Sequence, residues 1–207
     1  MIIENFTCVP LASNTKHREE LKAFSIDRES SCRNRREVIG LEAYLKRCAW
    51  DEDHNNETRI YLIKDTQTGD IAAYFGLKAG MVATSRNGGL SPEIQESILR
   101  EEGVKMLPEV LPGIEISHFA VNDAYRKKVG GVKGLGAYFY PEFIYPIIED
   151  VSSKVGVSLI YLYAAGGEKL ISYYKRVFDF QELDVTGIFT PLEPFYDSGC
   201  TFMYRVI

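Results

Sequence analysis

The segment from Gly113 to Gly136, GIEISHFAVNDAYRKKVGGVKGLG, constrains this chain more than any other. Its first half alternates apolar residues as a β-strand does. Its second half is basic and dense in glycine, and it opens a helix. A strand that runs through such a loop into a helix brings backbone N–H groups together at the positive end of the helix dipole. Glycine lets a bulky anion come close to that main chain. The segment therefore predicts an α/β arrangement with a phosphate-sized cradle beyond one strand.

The remaining elements follow from periodicity and turn chemistry. Ile2 to Leu11 reads as a short β-prone start. Lys16 to Phe24 and Arg35 to Trp50 read as helices, with Val38, Leu41, Leu45 and Cys48 at helical spacing in the second. Asp51 to Glu57, DEDHNNE, reads as a polar loop. The β-rich runs Arg59 to Lys64 and Asp70 to Leu77 flank DTQTGD and predict an antiparallel hairpin. Ser91 to Arg100 predicts a helix with Ser91 as its cap and Pro92 in its first turn. Ile114 to Val121 is the next strand. The helix after it starts near Gly134 and is expected to kink or break at Pro141 and Pro146, since each proline removes a helical hydrogen bond. Val157 to Tyr163 reads as a buried central strand. Glu168 to Phe178 is a helix and Cys200 to Val206 a closing strand. This order predicts one mixed α/β (α+β) sheet flanked by helices, in a single domain of 207 residues.

Composition excludes several classes. The chain is 45% hydrophobic and 26% charged, as a globular protein is, and its net charge of −5 argues against a whole-surface interaction with nucleic acid. No apolar run reaches the roughly 18–20 residues of a membrane span, and the acidic Glu4 in a start without a long apolar core does not suit a signal peptide. The expectation is a cytoplasmic protein. Cys8, Cys32, Cys48 and Cys200 are scattered without CxxC spacing, which predicts free thiols and no zinc site. Asp51, Asp53, His54 and Glu57 lack a ligand framework and read as a solvated loop, so no metal is expected.

The glycine loop does not satisfy GxxxxGK[ST], and Phe139 stands where GxGxxG needs its third glycine. What remains is a shorter cradle over Val132 to Ala137, with Arg126, Lys127, Lys128 and Lys133 adding positive charge. Phe119-Ala120-Val121 ending a strand, Tyr125-Arg126 in a linker, and Gly131-Val132-Lys133-Gly134-Leu135-Gly136 at a helix start together resemble the signature of the GNAT superfamily of acyl-CoA-dependent N-acetyltransferases. Gly131 stands where that family usually has Gln or Arg. Glu168 to Phe180, EKLISYYKRVFDF, is similar to the family's second signature, with Asp179 in place of the usual glycine. The likeness covers roughly Arg59 to Phe180. It leaves residues 1–56 as an N-terminal helical part and 181–207 as C-terminal strands.

The resemblance implies a central, mostly antiparallel sheet with one splayed parallel strand pair. It implies acetyl-CoA as co-substrate and no metal. The backbone of Phe119, Ala120 and Val121 would pair with the pantetheine arm. Gly131, Val132, Lys133, Gly134, Leu135, Gly136 and Ala137 would hold the pyrophosphate, with Arg126 and Lys128 nearby. A strand N–H would stabilise the tetrahedral oxyanion.

An attacking amine must lose a proton, and Glu115, six residues before Val121, is the candidate base. Alternation places Glu115, Ser117, Phe119 and Val121 on one face and Ile114, Ile116, His118 and Ala120 on the other. A solvent-facing carboxylate at a strand start is the competing reading of Glu115. His118 has the better pKa for neutral pH, but its apolar face suits a hydrogen-bonded core histidine. The departing thiolate needs a proton donor, for which Tyr174 and Tyr173 compete. Aligning Phe178-Asp179-Phe180 with the family ending selects Tyr174.

Two functions follow. The first is acetyl transfer to a primary amine, with the toxin-type aminoacyl-tRNA acetyltransferase as one variant, which the acidic balance opposes. The second is a non-catalytic acyl-CoA-binding or interaction module on the same fold. The basic cluster Arg33-Asn34-Arg35-Arg36 reads as a solvated face or, less often, a contact to an anionic substrate or tRNA phosphate, the insertion Val82 to Pro112 is the expected place of a specificity lid, and a homodimer is the oligomeric alternative. The aromatics of Ala137 to Tyr145 read as core.

Overall fold

The computed structural model describes residues 5–27, 40–83, 110–165, 167–182 and 200–207. Its strands are β1 (Phe6–Pro10), β2 (Arg59–Asp65), β3 (Ile71–Ala83), β4 (Val110–Val121), β5 (Leu159–Ala164), β6 (Gln181–Glu182) and β7 (Thr201–Val206). Its α-helical segments are α1 (His17–Glu20), α2 (Leu41–Arg47), α3 (Ala49–His54), α4 (Asp123–Lys128), α5 (Leu135–Phe139), α6 (Tyr145–Lys154) and α7 (Glu168–Phe178). The strand order is β1-β2-β3-β4-β5-β7-β6. The β4–β5 pairing is parallel, and β1–β2, β2–β3, β5–β7 and β6–β7 are antiparallel. The mixed sheet with one parallel pair is the arrangement expected.

The chain forms two compact units. The first comprises residues 1–31, 36–78 and 116–150. Its core joins Leu11, Leu21 and Phe24 to Leu45 and Ala49 of the helices and to Ile60, Leu62 and Tyr74 of the β2–β3 hairpin. Alternation puts one face of each strand there. The second comprises residues 32–35, 79–115 and 151–207. Its core stacks Leu159 and Tyr161 of β5 on Phe202 and Tyr204 of β7, with Val82 and Leu111. Gly80 and Gly113 make room for this: a Cβ on Gly80 would lie 1.9 Å from the Tyr161 hydroxyl, and one on Gly113 2.9 Å from Leu159.

Four expectations are corrected in whole or in part. Asp51–His54 is helical rather than loop, because Asp53 is a buried anchor. Its carboxylate accepts from Ala12 N at 2.8 Å, Ile60 N at 3.2 Å and Arg59 Nη1 at 2.8 Å. Within 40–54 the helix is interrupted at Cys48. The helix from Leu135 is interrupted at Pro141, as expected, but by a π turn rather than an end of the helix. A π turn over Tyr140–Ile144 connects α5 to α6, and Tyr145 N–H reaches back to the Tyr140 carbonyl. The wider turn accommodates the irregularity that Pro141 introduces. Finally, Cys8 and Cys48 are free thiols whereas Cys200 is disulfide-bonded. Burial pushes the Cys8 thiol up to about 12, so it stays protonated.

The expected helix Ser91–Arg100, the cluster Arg33-Asn34-Arg35-Arg36, and most of the insertion between Val82 and Pro112 lie outside the described residues. No helix among the described residues is long and apolar enough to cross a membrane.

Candidate functional site

The strand-to-helix segment holds one more element than its sequence suggested. Residues 123–128 are a helix, not a linker. Asn122 caps it: its Oδ1 accepts from Ala124 N at 3.0 Å and from Ser25 N at 3.1 Å, while its Nδ2 donates to the Ile71 carbonyl at 2.7 Å. Asn followed by Asp before helix-forming residues was the signal that could have found it.

The end of α4 shapes the glycine loop. Gly130 N–H donates to the Lys127 carbonyl at 3.2 Å and Gly131 N–H to the Arg126 carbonyl at 2.8 Å. This paired closure needs left-handed backbone, and Gly130 (φ 80°) and Gly131 (φ 75°) supply it. Gly131 therefore stands at a left-handed position, which glycine takes readily and Gln or Arg do not. Gly134 (φ 82°) makes the next left-handed turn and starts α5, with no side chain capping the helix. The first N–H groups of α5 have no intrahelical acceptor, by the geometry of any helix start. A Cβ on Gly130, Gly131 or Gly134 would meet nothing within 4 Å, so open space adjoins the loop there. Gly136 packs over β4, its Cβ position 3.8 Å from Phe119 and Val121. The arrangement is a cradle of backbone donors beside the end of β4, and it suits a diphosphate.

Its side-chain charges are mostly engaged. Arg126 pairs with Asp123 at 2.6 Å, Lys127 with Asp27 at 2.7 Å and Lys128 with Asp70 at 2.5 Å. Lys133 is exposed and takes part in no ion pair or hydrogen bond among the described residues.

Along β4, Ala120 is buried and Phe119 and Val121 are half-buried. Glu115 is 7% exposed, so it is not the solvent-facing carboxylate of the competing reading. It is the last residue of the parallel register Gly113–Leu159, Ile114–Ile160, Glu115–Tyr161. Both strands run on past that pair.

His118 is hydrogen-bonded, as expected, but half-buried rather than in the core, with polar and aromatic neighbours. Its Nδ1 lies 3.0 Å from Ser117 Oγ, and its ring stacks on Tyr44 at 3.5 Å between centroids. Burial, aided by the Lys78 charge, pushes its pKa down to about 3. A group with so low a pKa is a poor proton acceptor at neutral pH.

Tyr173 and Tyr174 lie side by side on α7, with centroids 6.2 Å apart. Both rings contact Phe178, at 5.2 and 5.5 Å, and Tyr174 also meets Phe180 at 5.9 Å. Burial raises the Tyr173 phenol, with Arg176 opposing. Asp179 ends the helix in left-handed backbone, φ 59°. This is a natural glycine position, and aspartate is among the few other residues that tolerate it. Among the described residues no group of His, Cys, Asp and Glu is arranged to hold a metal.

No family model and no curated protein matches the sequence. Solved structures do match its fold. A crystal structure of a tyrosine-to-phenylalanine mutant of KacT aligns with TM-score 0.64 at 13% identity, over 98% of this chain and 95% of that one. AtaT complexed with acetyl-methionyl-tRNAfMet aligns with TM-score 0.63 at 16% identity, over 90% and 95%. A mutant AtaT toxin bound to the C-terminus of the antitoxin AtaR and acetyl-CoA aligns with TM-score 0.60 at 14% identity, over 98% and 94%. At these identities what is shared is the fold.

Proposed function

We propose that this chain, which has the GNAT fold, transfers an acetyl group from acetyl-CoA to a primary amine. The observation that supports this most is the cradle: three left-handed glycines with open space beside them, ahead of an uncapped helix start at the end of β4. A structure of the same fold at similar length holds acetyl-CoA. In this reading Gly131, Val132, Lys133, Gly134, Leu135, Gly136 and Ala137 receive the pyrophosphate. The backbone of Phe119, Ala120 and Val121 pairs with the amide-bearing arm of the co-substrate.

Each chemical role then falls to a named group. Glu115 takes a proton from the acceptor ammonium, directly or through water, which frees the nitrogen lone pair. As the new C–N bond forms, a backbone N–H near the end of β4 stabilises the carbonyl oxygen as it becomes anionic. As the C–S bond breaks, Tyr174 gives a proton to the leaving thiolate, with Tyr173 as the competing donor. The proton taken by Glu115 returns to solvent, the attacking nitrogen loses its second proton to solvent as the intermediate collapses to the amide, and Tyr174 is reprotonated, so one net proton is released.

The variant reading, acetylation of the α-amino group of an aminoacyl-tRNA, is favoured by the likeness to AtaT carrying acetyl-methionyl-tRNAfMet. The net charge of −5 opposes it, since RNA binding draws on clustered positive charge. Calorimetric titration with acetyl-CoA, followed by thiol release with amine and aminoacyl-tRNA acceptors, tests both. Micromolar binding and acceptor-dependent release support acetyl transfer. Binding without release from any acceptor turns the chain into an acyl-CoA-binding module. Absence of binding at millimolar ligand removes both.

A further inference from the structure

His118 stands in β4 directly before Phe119–Val121, and the scheme above does not use it. Its ring lies flat on Tyr44 of α2, with 3.5 Å between centroids and 7° between planes. Contact at that distance fixes the imidazole plane. Its Nδ1 is 3.0 Å from Ser117 Oγ, which fixes the rotation within that plane. Tyr44 is itself held. Its hydroxyl donates to Glu52 Oε2 at 2.7 Å, Thr58 Oγ1 donates to the same oxygen at 2.8 Å, and Lys78 Nζ stands 3.8 Å away. Ser117 is confined too, for a Cβ on Gly76 would come within 2.8 Å of its Oγ.

The other ring nitrogen is different. Nε2 meets no hydrogen-bond partner among the described residues, and it is not one of the side-chain atoms sealed from solvent without a partner. The residue is half-buried. One nitrogen is thus engaged, the ring is locked, and the second nitrogen is neither bonded among the described residues nor sealed from solvent. Hydrogen-bonding groups locked in this way are what a binding site needs in order to orient a ligand.

We propose that His118 Nε2 accepts a hydrogen bond from the acceptor amine and orients its lone pair for attack, with Tyr44 and Ser117 as positioning residues. The inference rests on the acetyltransferase reading and adds an acceptor-binding residue to it. The ligand is a primary amine in its neutral form. No covalent bond is made to His118, and no proton is stored there. Its depressed basicity suits this, because the ring stays neutral and leaves proton removal to Glu115. Among the described residues, the titratable and charged groups on the elements around the ring are Tyr44 of α2, Glu52 of α3 and Lys78 of β3. The role requires the tautomer with hydrogen on Nδ1, donated to Ser117 Oγ, so that Nε2 offers its lone pair. The opposite tautomer would present an N–H to the amine's lone pair and hold the nucleophile back.

The test uses the full chain with nitrogen-15 labelled histidine, of which it has three. L-Methionine amide serves as the amine probe, and its dimethylated, tertiary-amine analogue, which has no N–H in its neutral form, as the control. The expected result is a neutral, Nδ1-protonated His118 around neutral pH whose Nε2 resonance shifts with methionine amide and not with the control. In turnover, His118→Phe keeps the stack on Tyr44 and removes the acceptor. It should raise KM for the amine about 10-fold, with the acetyl-CoA Kd unchanged. His118→Gln, whose amide oxygen can accept, should recover part of the loss. An Nε2-protonated tautomer, an Nε2 resonance indifferent to the amine, or a wild-type KM in His118→Phe would overturn the proposal. Failure of acetyl-CoA to bind wild type would instead overturn the acetyltransferase reading, and the resonance experiment would still decide the amine contact.

Discussion

The Tyr125 hydroxyl donates to Asp65 Oδ2 at 2.8 Å across 60 positions of sequence, joining α4 to the end of β2. Asp65 also accepts from Gln67 N at 2.8 Å and Thr68 N at 3.0 Å through Oδ1, so the same carboxylate shapes the β2–β3 turn. The helix that precedes the glycine cradle is therefore anchored to the hairpin through one buried anion.

Tyr125→Phe should destabilise the protein by about 1.5–3 kcal/mol, the range for a hydrogen bond to a charged group. Burial alone would raise the Asp65 pKa, but the bonds from Tyr125, Thr68 and Gln67 and the charge of Lys128 outweigh it and hold the carboxyl below its usual value. A group depressed in the folded state contributes its stability above the unfolded pKa, about 3.9 for aspartate. That contribution is lost as pH falls through the lower folded value. Urea midpoints measured from neutral pH downward should show the Tyr125→Phe deficit at neutral pH and its narrowing below about pH 4. A constant deficit across that range would mean that Tyr125 acts by packing alone.

Asp179 tests how the second helix ends. Its backbone sits at φ 59°, ψ 31°, and its N–H and that of Phe180 both reach the Tyr174 carbonyl. Asp179→Gly removes the left-handed penalty and should stabilise the protein by up to about 1 kcal/mol, whereas Asp179→Val should cost more than 1 kcal/mol. Urea denaturation of both variants decides it. Equal stability of the valine variant and wild type would show that this residue is not left-handed in solution.

Much of this was legible in sequence, and the reasons are physical. The β2–β3 hairpin follows from alternation around Thr68-Gly69, and Glu168–Phe178 from helical spacing, because short-range patterns specify both. Asp53 misled because a charged residue in DEDHNNE reads as solvated, whereas Ala12, 41 positions away, and Ile60 of the following strand hold its carboxylate in the interior. Pro141 marked the interruption of its helix correctly, but not that a π turn would carry the chain through it, since local sequence does not report that turn. The cations of the loop were readable as cations but not as ion pairs, since Asp27 and Asp70 lie far away in sequence. The His118–Tyr44 stack was illegible for the same reason: it joins residues 44 and 118.

The engaged cations give a sharp expectation for the cradle. Lys127 and Lys128 already have carboxylate partners at exposed positions, so Lys127→Ala should change the acetyl-CoA Kd little. Lys133→Ala removes the exposed loop charge that has no ion pair among the described residues, and should weaken binding several-fold, with a shallower salt dependence. Gly131→Gln restores the side chain that is usual in the family but forces it to φ 75°. It should cost about 1 kcal/mol of stability without tightening binding. Calorimetry at two ionic strengths distinguishes these variants. Loss of binding in Lys127→Ala rather than Lys133→Ala would reverse the assignment.

The roles proposed for β4 and α7 separate by kinetics. Glu115→Gln keeps the shape of a buried residue and removes its basicity, so turnover should fall about 10²–10⁴-fold while acetyl-CoA still binds. Its pH–rate profile should lose the limb that reports a carboxylate base. Tyr174→Phe keeps the ring that packs on Phe178 and Phe180 and removes only the hydroxyl. It should lower turnover more than Tyr173→Phe does. If Tyr173→Phe is the slower variant, the register that counts back from Phe178 is the right one, and Tyr173 is the donor. If neither tyrosine variant is slowed and Glu115→Gln is, the thiolate leaves without a side-chain acid, its own pKa being low enough for departure into water. If none of the three is slowed although wild type turns over, the enzyme works by positioning on the β4 backbone and the cradle alone, as the rate enhancement available from orientation permits.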